Sequence, residues 1–514
     1  MGISQNGDLP LLSIHGFKPL DLDDLREQVH QTMDFIMDYY KKVESFPVLP
    51  SVQPGYLRHL LPATPPAEPT TFDAILCDLH RAILPGLTHW ASPNFFAYFP
   101  ATLSSAALAG DLLASAFNPV AFTWLSSPAA TELESLVLDW LAHLLRLPSC
   151  FLSSSASAAT RGGGVLHNTT SEAMLCTLVA ARDAALRRSG GFAAAISRLV
   201  AYGSDQTHST FFKACRIAGF DPANVRSVPT RSESDFSLEP ARLRAAMAAD
   251  AAAGLVPAYV CATVGTTSST AVDPVGPISE VAAEFGAWVH VDAAYAGSAC
   301  VCPEFRQYLD GVERANSVSF SPHKWLLTCL DCTCLWVRDT RLLTGPLGTD
   351  PEYLKNGPSE SGSVVDLKDL QVGVGRRFRS LKLWMVIRTY GVANLQAHIR
   401  SDVEMARRFE GMVRSDRRFE VVVPRRFALV CFRLMPRGGM VEAQADKENR
   451  RLLEMINASG RAYITHTVVG RMYVLRFAVG STLTEERHVA SAWELIKKKA
   501  DELLGVEVSP VPNI

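Results

Sequence analysis

Two patterns of apolar residues run along this chain. Over Asp21–Tyr40 apolar residues recur every three or four positions, which predicts an amphipathic helix. Further on, the pattern predicts a strand over Ala258–Val264, a helix over Ile278–Phe285 and a second strand over Ala287–Val291. Because these strands are apolar on both faces, we expect them in a buried, mainly parallel sheet that is flanked by helices.

The last third of the chain has a different pattern. Strand-like stretches occur within Arg418–Leu434 and Arg461–Ser481, with helical patterns around Lys447–Ile456 and over Glu485–Leu504. This order predicts a small α+β domain. Since 514 residues exceed one ordinary hydrophobic core, we expect three regions. They are a helical N-terminal dimerisation segment over residues 1–104, a large α/β domain over 105–381 and a small C-terminal α+β domain over 382–514.

Composition narrows the choice of partner and compartment. Hydrophobic residues make up 48% and charged residues 20% of the chain, and the formal charge is −2, so we expect neither nucleic acid nor an anionic membrane as a partner. The 11 cysteines have no zinc-like spacing, which predicts a reducing compartment and no metal site. Residues 1–12 lack the features of a secretion signal, and no run is apolar enough for a membrane helix. We therefore expect a cytoplasmic protein.

Four residues that can carry chemistry follow predicted strands. Asp292 ends a strand, and His208, Thr267 and Lys324 come shortly after others. Because ligands bind beyond the carboxyl ends of parallel strands, we expect these four side chains to line one crevice. Singly, such a histidine is more often structural and such an aspartate more often a helix cap. The set as a whole therefore carries more weight than any member.

Lys324 stands between an apolar run, Val318–Phe320, and Trp325. Partial burial of its amine would lower its pKa and favour attack on an aldehyde to form a Schiff base. The alternative is a lysine whose stem merely covers an aromatic face. An aldehyde cofactor with a phosphate and a pyridine ring would also need an anion site, a carboxylate at the ring nitrogen and a partner for the ring face.

A glycine-rich stretch, Arg161–Gly164, precedes a predicted helix that starts near Thr170. We interpret the glycines as a turn that opens room for a ligand. Free amides, the helix dipole and the hydroxyls of Thr170 and Ser171 together could bind phosphate. Ordinary helix capping also explains serine and threonine at such a position.

Aromatic residues are dense in Trp90–Ala101, which also contains two prolines. Such a segment is either a plug of the hydrophobic core or a wall of a binding site. The prolines favour an irregular loop, and loops often line pockets.

The chain resembles the group II pyridoxal-phosphate-dependent decarboxylases and, within them, the plant aromatic L-amino acid decarboxylases. The resemblance covers nearly the whole chain. It rests on six motifs: SPHKW at Ser321–Trp325, HVDAAYAG at His290–Gly297, TSEA at Thr170–Ala173, SDQTHS at Ser204–Ser209, ATVGTT at Ala262–Thr267 and GRRFRSLKLW at Gly375–Trp384. It implies the type I fold of PLP-dependent transferases and an obligate homodimer with its active site at the subunit interface.

The resemblance also implies roles for individual residues. Lys324 would hold pyridoxal 5′-phosphate, His208 would stack on its ring and Asp292 would bind the ring nitrogen. The phosphate would be held by Thr170, Ser171, His323 and Ser321, the last where relatives often carry asparagine. Thr267 and Ala294 would lie close to the ring. The substrate side chain would meet Trp90, Tyr98, Phe99, Pro100, His323 and Gly375.

The implied reaction is decarboxylation of an aromatic L-amino acid. Tyr353, in the lid-like stretch Gly345–Ser363, matches the family's catalytic tyrosine, which protonates Cα from the neighbouring subunit. In plant members of this family, a glycine at the position of Gly375 occurs with indolic substrates and a serine occurs with phenolic ones. We therefore expect L-tryptophan to give tryptamine and CO2, with 5-hydroxytryptophan, which would give serotonin, as a second substrate. The alternatives are a tyrosine/DOPA decarboxylase and an aromatic aldehyde synthase, although phenylalanine replaces the catalytic tyrosine in the synthases.

Overall fold

The computed structural model describes residues 18–155, 161–191 and 195–505. The chain divides into two compact units, one up to His89 and one from Trp90 onward. The domain boundaries expected at residues 104 and 381 stay predictions. Residues 1–12, on which the expected location partly rests, lie outside the described residues.

The first unit contains the predicted amphipathic helix, α1 (Leu22–Lys42). The Asp21 carboxylate starts it by accepting from the amides of Asp23 and Asp24 at 3.0 and 3.4 Å, as an N-cap should. No residue of α1 is buried. Two short helices follow, α2 (Leu57–Leu60) and α3 (Phe72–Asp78).

A seven-stranded sheet forms the centre of the second unit, with the strand order β1-β7-β6-β5-β4-β2-β3. The run from β6 to β3 is parallel, and β7 is antiparallel to both of its neighbours. The sheet is thus mainly parallel, as predicted. Its strands are β1 (Gly163–His167), β2 (Leu199–Ser204), β3 (Val225–Val228), β4 (Val256–Thr263), β5 (Trp288–Asp292), β6 (Ser317–Phe320) and β7 (Thr333–Val337).

One local prediction at the first strand is wrong. Gly163 and Gly164 belong to β1 and pair with Val337 and Trp336 of β7, so they do not form a turn. A Cβ on Gly164 would lie 3.0 Å from side-chain atoms of both Leu138 and Trp336. Glycine at this position therefore makes room for close packing on the sheet.

Helices cover the sheet and connect its strands. The longest of them, α13 (Arg379–Ser415), is interrupted at Gly391, where φ is +64°, a conformation that glycine adopts without a steric penalty. The helices of this part are α4 (Ser105–Phe117), α5 (Pro128–Leu145), α6 (Thr170–Arg188), α7 (Thr210–Ile217), α8 (Pro240–Ala252), α9 (Val275–Glu284), α10 (Pro322–Trp325), α11 (Arg341–Leu347), α12 (Gly357–Glu360) and α13 (Arg379–Ser415).

The last part of the chain forms the predicted α+β arrangement. Its antiparallel sheet has the order β10-β11-β9-β8, and Phe409 of α13 stacks on Phe477 of this sheet with 3.8 Å between ring centroids. Among the described residues, no helix has the length and apolar character needed to cross a membrane. The elements are β8 (Phe419–Val421), β9 (Leu429–Leu434), α14 (Glu442–Ala458), β10 (Thr465–Val469), β11 (Met472–Ala478) and α15 (Glu486–Leu504).

Candidate active site

The predicted crevice lies at the carboxyl ends of the parallel strands. Asp292 is the last residue of β5 and is in register with Thr263 of β4 and Ser319 of β6. His208 and Lys324 each follow a strand by four residues, β2 and β6 respectively. Their charges interact across this edge. The pKa of His208 is lowered by burial and by the charge of Lys324, while the charge of Asp292 opposes the shift.

Lys324 lies in a single helical turn, α10, that begins directly after β6. Its amide donates to the carbonyl of Ser321 at 2.9 Å, and the amide of Ser321 donates to the carbonyl of Ala294 at 3.1 Å. Gly297 allows the segment after β5 to lie against β6, because a Cβ there would clash with Cβ of Phe320. Backbone contacts to two strand ends therefore fix the turn that carries the lysine.

The amine of Lys324 lies over the ring of Phe99, with 5.8 Å from Nζ to the ring centroid. Burial lowers the pKa of this amine, and the charge of Asp292 partly opposes the shift. The desolvation expected from the sequence is confirmed. A lowered pKa increases the fraction of neutral amine, which is the form that attacks an aldehyde.

Asp292 is buried and oriented by the chain that follows it. Its side chain is 3% exposed, and Oδ1 accepts from the amide of Ala294 at 3.0 Å. Since the carbonyl of Ala294 accepts from Ser321, one residue ties the carboxylate to the lysine turn. A buried carboxylate at this position can pair with a protonated ring nitrogen.

The ring of His208 has a defined tautomer in this structure. Nδ1 accepts from the amide of Thr210 at 3.2 Å, so the neutral ring carries its proton on Nε2. Thr267 lies partly buried in the turn after β4, at the same edge of the sheet.

A chain of hydroxyl groups joins the start of α6 to the lysine turn. Thr170 Oγ1 and Ser321 Oγ are 2.8 Å apart, and Ser321 Oγ is 2.8 Å from Thr333 Oγ1. The side chain of Thr169, the N-cap residue, makes no capping hydrogen bond. Thr170 and Ser171 follow the N-cap as the first two residues of α6, so helix capping does not account for them. Hydroxyls beside the free amides of a 19-residue helix suit a phosphate. The hydroxyl of Ser171 bonds to Thr210.

His323 is buried beside Lys324. Its Nδ1 lies 2.6 Å from the carbonyl oxygen and 3.0 Å from the amide nitrogen of Cys332. Burial, followed by the charge of Lys324, lowers the pKa of His323 to about 4. The ring is therefore neutral at pH 7 and serves as a hydrogen-bonding group without charge.

The aromatic segment is partly a wall and partly a core plug. Phe99 stacks on Tyr295 with 3.7 Å between centroids, and Tyr295 stacks on Trp325 with 4.8 Å. Phe96 is buried against Phe477 at 4.1 Å. Through Tyr295, the stack joins Phe99 to Trp325, the residue next to Lys324.

The outer part of the segment is more exposed. Trp90 and Tyr98 are 40% and 47% exposed and stack with 5.6 Å between centroids. The hydroxyl of Tyr98 lies 2.9 Å from that of Tyr463. Pro100 is buried, and a Cβ on Gly480 would approach its Cγ to 2.6 Å. The rings of the predicted wall thus form two groups, one with Trp90 and Tyr98 and one with Phe99 on Tyr295.

Sequence reasoning missed Arg476, a buried residue of β11. Its guanidinium donates to the carbonyls of Ser268 and Tyr98 at 3.1 and 3.3 Å and to Thr465 Oγ1 at 3.1 Å. It also lies 5.2 Å from the centroid of Phe99. Arg476 therefore joins the aromatic wall to the turn that carries Thr267. The only signal in the sequence was an arginine inside an apolar strand.

Two predicted site residues stand apart from this cluster. Tyr353 lies in a short turn, Glu352–Leu354, and is 84% exposed. Gly375 lies in a loop, where a Cβ would meet no atom within 4 Å. It lines a cavity together with Ser171, Thr210, Gln371 and Arg379.

The clustered residues fit a phosphate-bearing aldehyde with a pyridine ring. Lys324 supplies a partly desolvated amine, Asp292 a buried carboxylate and His208 a neutral ring at the same edge. The hydroxyls of Thr170 and Ser321 lie at a helix start, as an anion site requires. Each need of such a cofactor is met by a separate element of the fold.

Comparisons with known proteins agree with this chemistry. Residues 54–435 match the family model described as the pyridoxal-dependent decarboxylase conserved domain. Tryptophan decarboxylase 1 of Oryza sativa subsp. japonica is 66% identical over 492 residues, which cover 95% of this chain and 96% of that protein. A crystal structure of Oryza sativa TDC with PLP and tryptamine has a TM-score of 0.93 at 66% identity, covering 95% of this chain and 99% of that one. The crystal structure of Catharanthus roseus tryptophan decarboxylase in complex with L-tryptophan has a TM-score of 0.90 at 57% identity, covering 95% and 100%.

Proposed function

Because the chain belongs to the pyridoxal-dependent decarboxylase family, we propose that it converts aromatic L-amino acids to amines and CO2, with L-tryptophan as the preferred substrate. The observation that carries this proposal is the placement of Lys324, His208 and Asp292 at one edge of the sheet. The tryptophan decarboxylases named above support the choice of substrate. Such an enzyme would also accept 5-hydroxytryptophan.

When bound, pyridoxal 5′-phosphate supplies an electron-accepting ring for the electrons left at Cα after CO2 departs. Lys324 would hold the cofactor through its amine. Asp292 would pair with the protonated ring nitrogen, and His208, Thr267 and Ala294 would lie against the ring. Thr170, Ser171, Ser321 and His323 would hold the phosphate.

The substrate side chain binds against the aromatic wall. Phe99 offers a ring face that its stack on Tyr295 fixes in place, and Trp90, Tyr98 and Pro100 extend the apolar surface. His323, neutral at pH 7, adds a hydrogen-bonding group near the lysine. The wall excludes water from the reacting atoms and orients the ring of the amino acid.

Proton delivery to Cα is the role of Tyr353. Its side chain is 84% exposed in the single chain, which supports action on the site of a second copy. The apolar positions of α1 point to the same arrangement, since none of its residues is buried and Leu22, Leu25 and Met37 are 74%, 43% and 51% exposed. We therefore propose a homodimer with its active sites at the interface. Removal of residues 1–60 is expected to abolish the dimer in sedimentation, and a truncated chain that stayed dimeric would contradict this part of the proposal.

The proposed location is the cytoplasm. All 11 cysteines are free thiols, as expected in a reducing compartment.

The choice of tryptophan is tested by comparing kcat/KM for tryptophan and tyrosine in the wild type and in Gly375→Ser. A Cβ on Gly375 would meet open space, so the fold can accept a serine there, and its side chain would take up room that a fused ring needs. A pocket change of one small group corresponds to about 1–3 kcal/mol, or about 10- to 200-fold in selectivity. We expect the wild type to favour tryptophan and Gly375→Ser to lose that preference. A wild type faster on tyrosine would overturn the assignment.

The cofactor role is tested by Lys324→Ala. The variant should lack the visible absorbance band of the covalently bound cofactor and should release no CO2. Lys447→Ala, at an exposed lysine of α14, is the control and should keep both. An aminotransferase would instead require a 2-oxo acid and release no CO2.

A further inference from the structure

The loop that carries Gly375 is closed at its base by two buried polar side chains. Residues 372–375 are exposed and lie outside regular secondary structure. Gln371 and Arg376, on either side of them, are each 4% exposed. Arg376 Nη1 donates to Gln371 Oε1 at 2.6 Å. The two side chains therefore bond to each other where the loop leaves and re-enters the protein.

The side-chain amide of Gln371 also bonds to the backbone of the loop. Its Nε2 donates to the carbonyl of Gly373 and, at 3.3 Å, to the carbonyl of Gly375. Apart from its chain neighbours, no atom of the described residues lies within 4 Å of the position of a Cβ on Gly375, so the loop leaves open space on that side of the residue. The hydrogen bond from Gln371 is therefore a direct constraint on where the Gly375 backbone lies.

Arg376 is in turn fixed to the core of the sheet. Glu134 of α5, 3% exposed, accepts through Oε1 from Arg376 Nη2 at 2.5 Å and from the amide of Leu166 at 2.7 Å. The carbonyl of Leu166 accepts from the same Nη2 at 3.3 Å. Leu166 belongs to β1, the strand that leads to the start of α6. The base of the loop is thus bonded to the strand next to the proposed phosphate site. The buried charges of Arg376 and Glu134 also compensate each other.

We infer that Gln371, held by Arg376 and Glu134, is a positioning residue that sets the distance of Gly375 from the substrate ring and thereby the preference for indolic substrates. This inference rests on the proposed role of Gly375 in substrate choice. Gln371 acts through the loop backbone and takes no part in the chemical step.

Gln371→Glu separates this role from simple support of the fold. A glutamate keeps an acceptor for Arg376 but has no N–H to donate to the carbonyls of Gly373 and Gly375. We expect KM for tryptophan to rise about five- to tenfold, because the loop loses both of these hydrogen bonds. KM for tyrosine should change less, and kcat should stay within about twofold for both substrates. Hydrogen exchange of the backbone amides of residues 372–375 should become faster.

Gln396→Glu is the matched control. Gln396 of α13 donates through Nε2 to the carbonyl of Val301 at 2.9 Å, so it loses a comparable hydrogen bond away from the loop. Its KM values should equal those of the wild type. General destabilisation would lower the amount of active enzyme for both substrates alike without changing either KM.

The ratio of KM for tryptophan to KM for tyrosine tests the inference. A ratio in Gln371→Glu equal to that of the wild type would overturn it, and so would a changed ratio with unchanged exchange in the loop. A wild type without preference for tryptophan would instead contradict the proposed function, and exchange alone would then decide whether Gln371 positions the loop.

Discussion

Trp325 donates its indole N–H to Oδ2 of Asp402 at 2.7 Å. This bond attaches the residue next to Lys324 to α13. The ring of Trp325 then supports Tyr295, and Tyr295 supports Phe99. Asp402 is 2% exposed, and burial raises the pKa of its carboxyl. This hydrogen bond therefore links the stack of Trp325, Tyr295 and Phe99 to α13.

Replacing Asp402 tests this anchor. Asp402→Asn keeps an oxygen that accepts from Trp325 and should change Tm little. Asp402→Leu leaves the buried indole N–H without its acceptor, at a cost of about 1–3 kcal/mol, so its Tm should fall clearly and its KM should rise. Thermal unfolding and steady-state kinetics of both variants measure the difference. An equal loss in both would mean that the charge of Asp402 matters and the hydrogen bond does not.

Arg476 should be necessary to hold the aromatic wall in its position. Its three acceptors lie on three different segments, and a lysine ammonium cannot reproduce a planar fork that spans them. Arg476→Lys should therefore raise KM about tenfold, the effect of leaving one or two buried carbonyls unpaired, and lower kcat less. Arg433→Lys, at a buried arginine of β9 that pairs with Glu420 and Glu442, is the control. A KM in Arg476→Lys equal to that of the control would contradict this role.

Sequence patterns predicted the parts of the fold that depend on local periodicity and on strand ends. The strand before Asp292 and the place of Lys324 just after another strand could be predicted because apolar runs stop there. The strand at Gly163 could not, because it forms by antiparallel pairing with β7, far along the chain. Long-range pairing overrides the turn preference of glycine.

Sequence patterns also failed to predict the polar network around Gly375. Glu134 and Arg376 meet only after α5 packs on β1, and no local pattern distinguishes either from a surface charge. Arg476 shows the same limit, since two of its acceptors, Ser268 and Tyr98, lie far away along the chain. Site residues at strand ends were therefore predictable, while those that support them were not.

His290 should make stability depend on pH. It is fully buried in β5, with Nδ1 2.8 Å from Ser317 Oγ and Nε2 3.1 Å from Ser319 Oγ. Burial lowers its pKa to about 4, and the charge of Asp292 partly opposes the shift. Between the ordinary value of about 6.5 and 4, the unfolded chain binds a proton that the folded chain does not. This group therefore reduces stability as pH falls through that range.

The expected result is a shallower dependence of Tm on pH in His290→Asn than in the wild type between pH 6.5 and 4. Asparagine can still bond to the neighbouring hydroxyls and does not titrate. His59→Asn, at an exposed position, serves as the control and should follow the wild-type curve. Parallel curves for His290→Asn and the wild type would show that the pKa of His290 is the same in the folded and the unfolded chain.

Tyr353→Phe should change the product. The proposed role of Tyr353 is delivery of a proton to Cα, so in its absence the electrons left by CO2 should pass to dioxygen. The amino acid, O2 and water then give an aldehyde, CO2, ammonia and hydrogen peroxide in place of the amine. Assays of amine, aldehyde and peroxide measure the shift. Tyr308→Phe, at a residue whose ring packs on Phe427 at 5.1 Å, is the control and should form only amine. A Tyr353→Phe enzyme that also formed only amine would exclude Tyr353 as the proton donor.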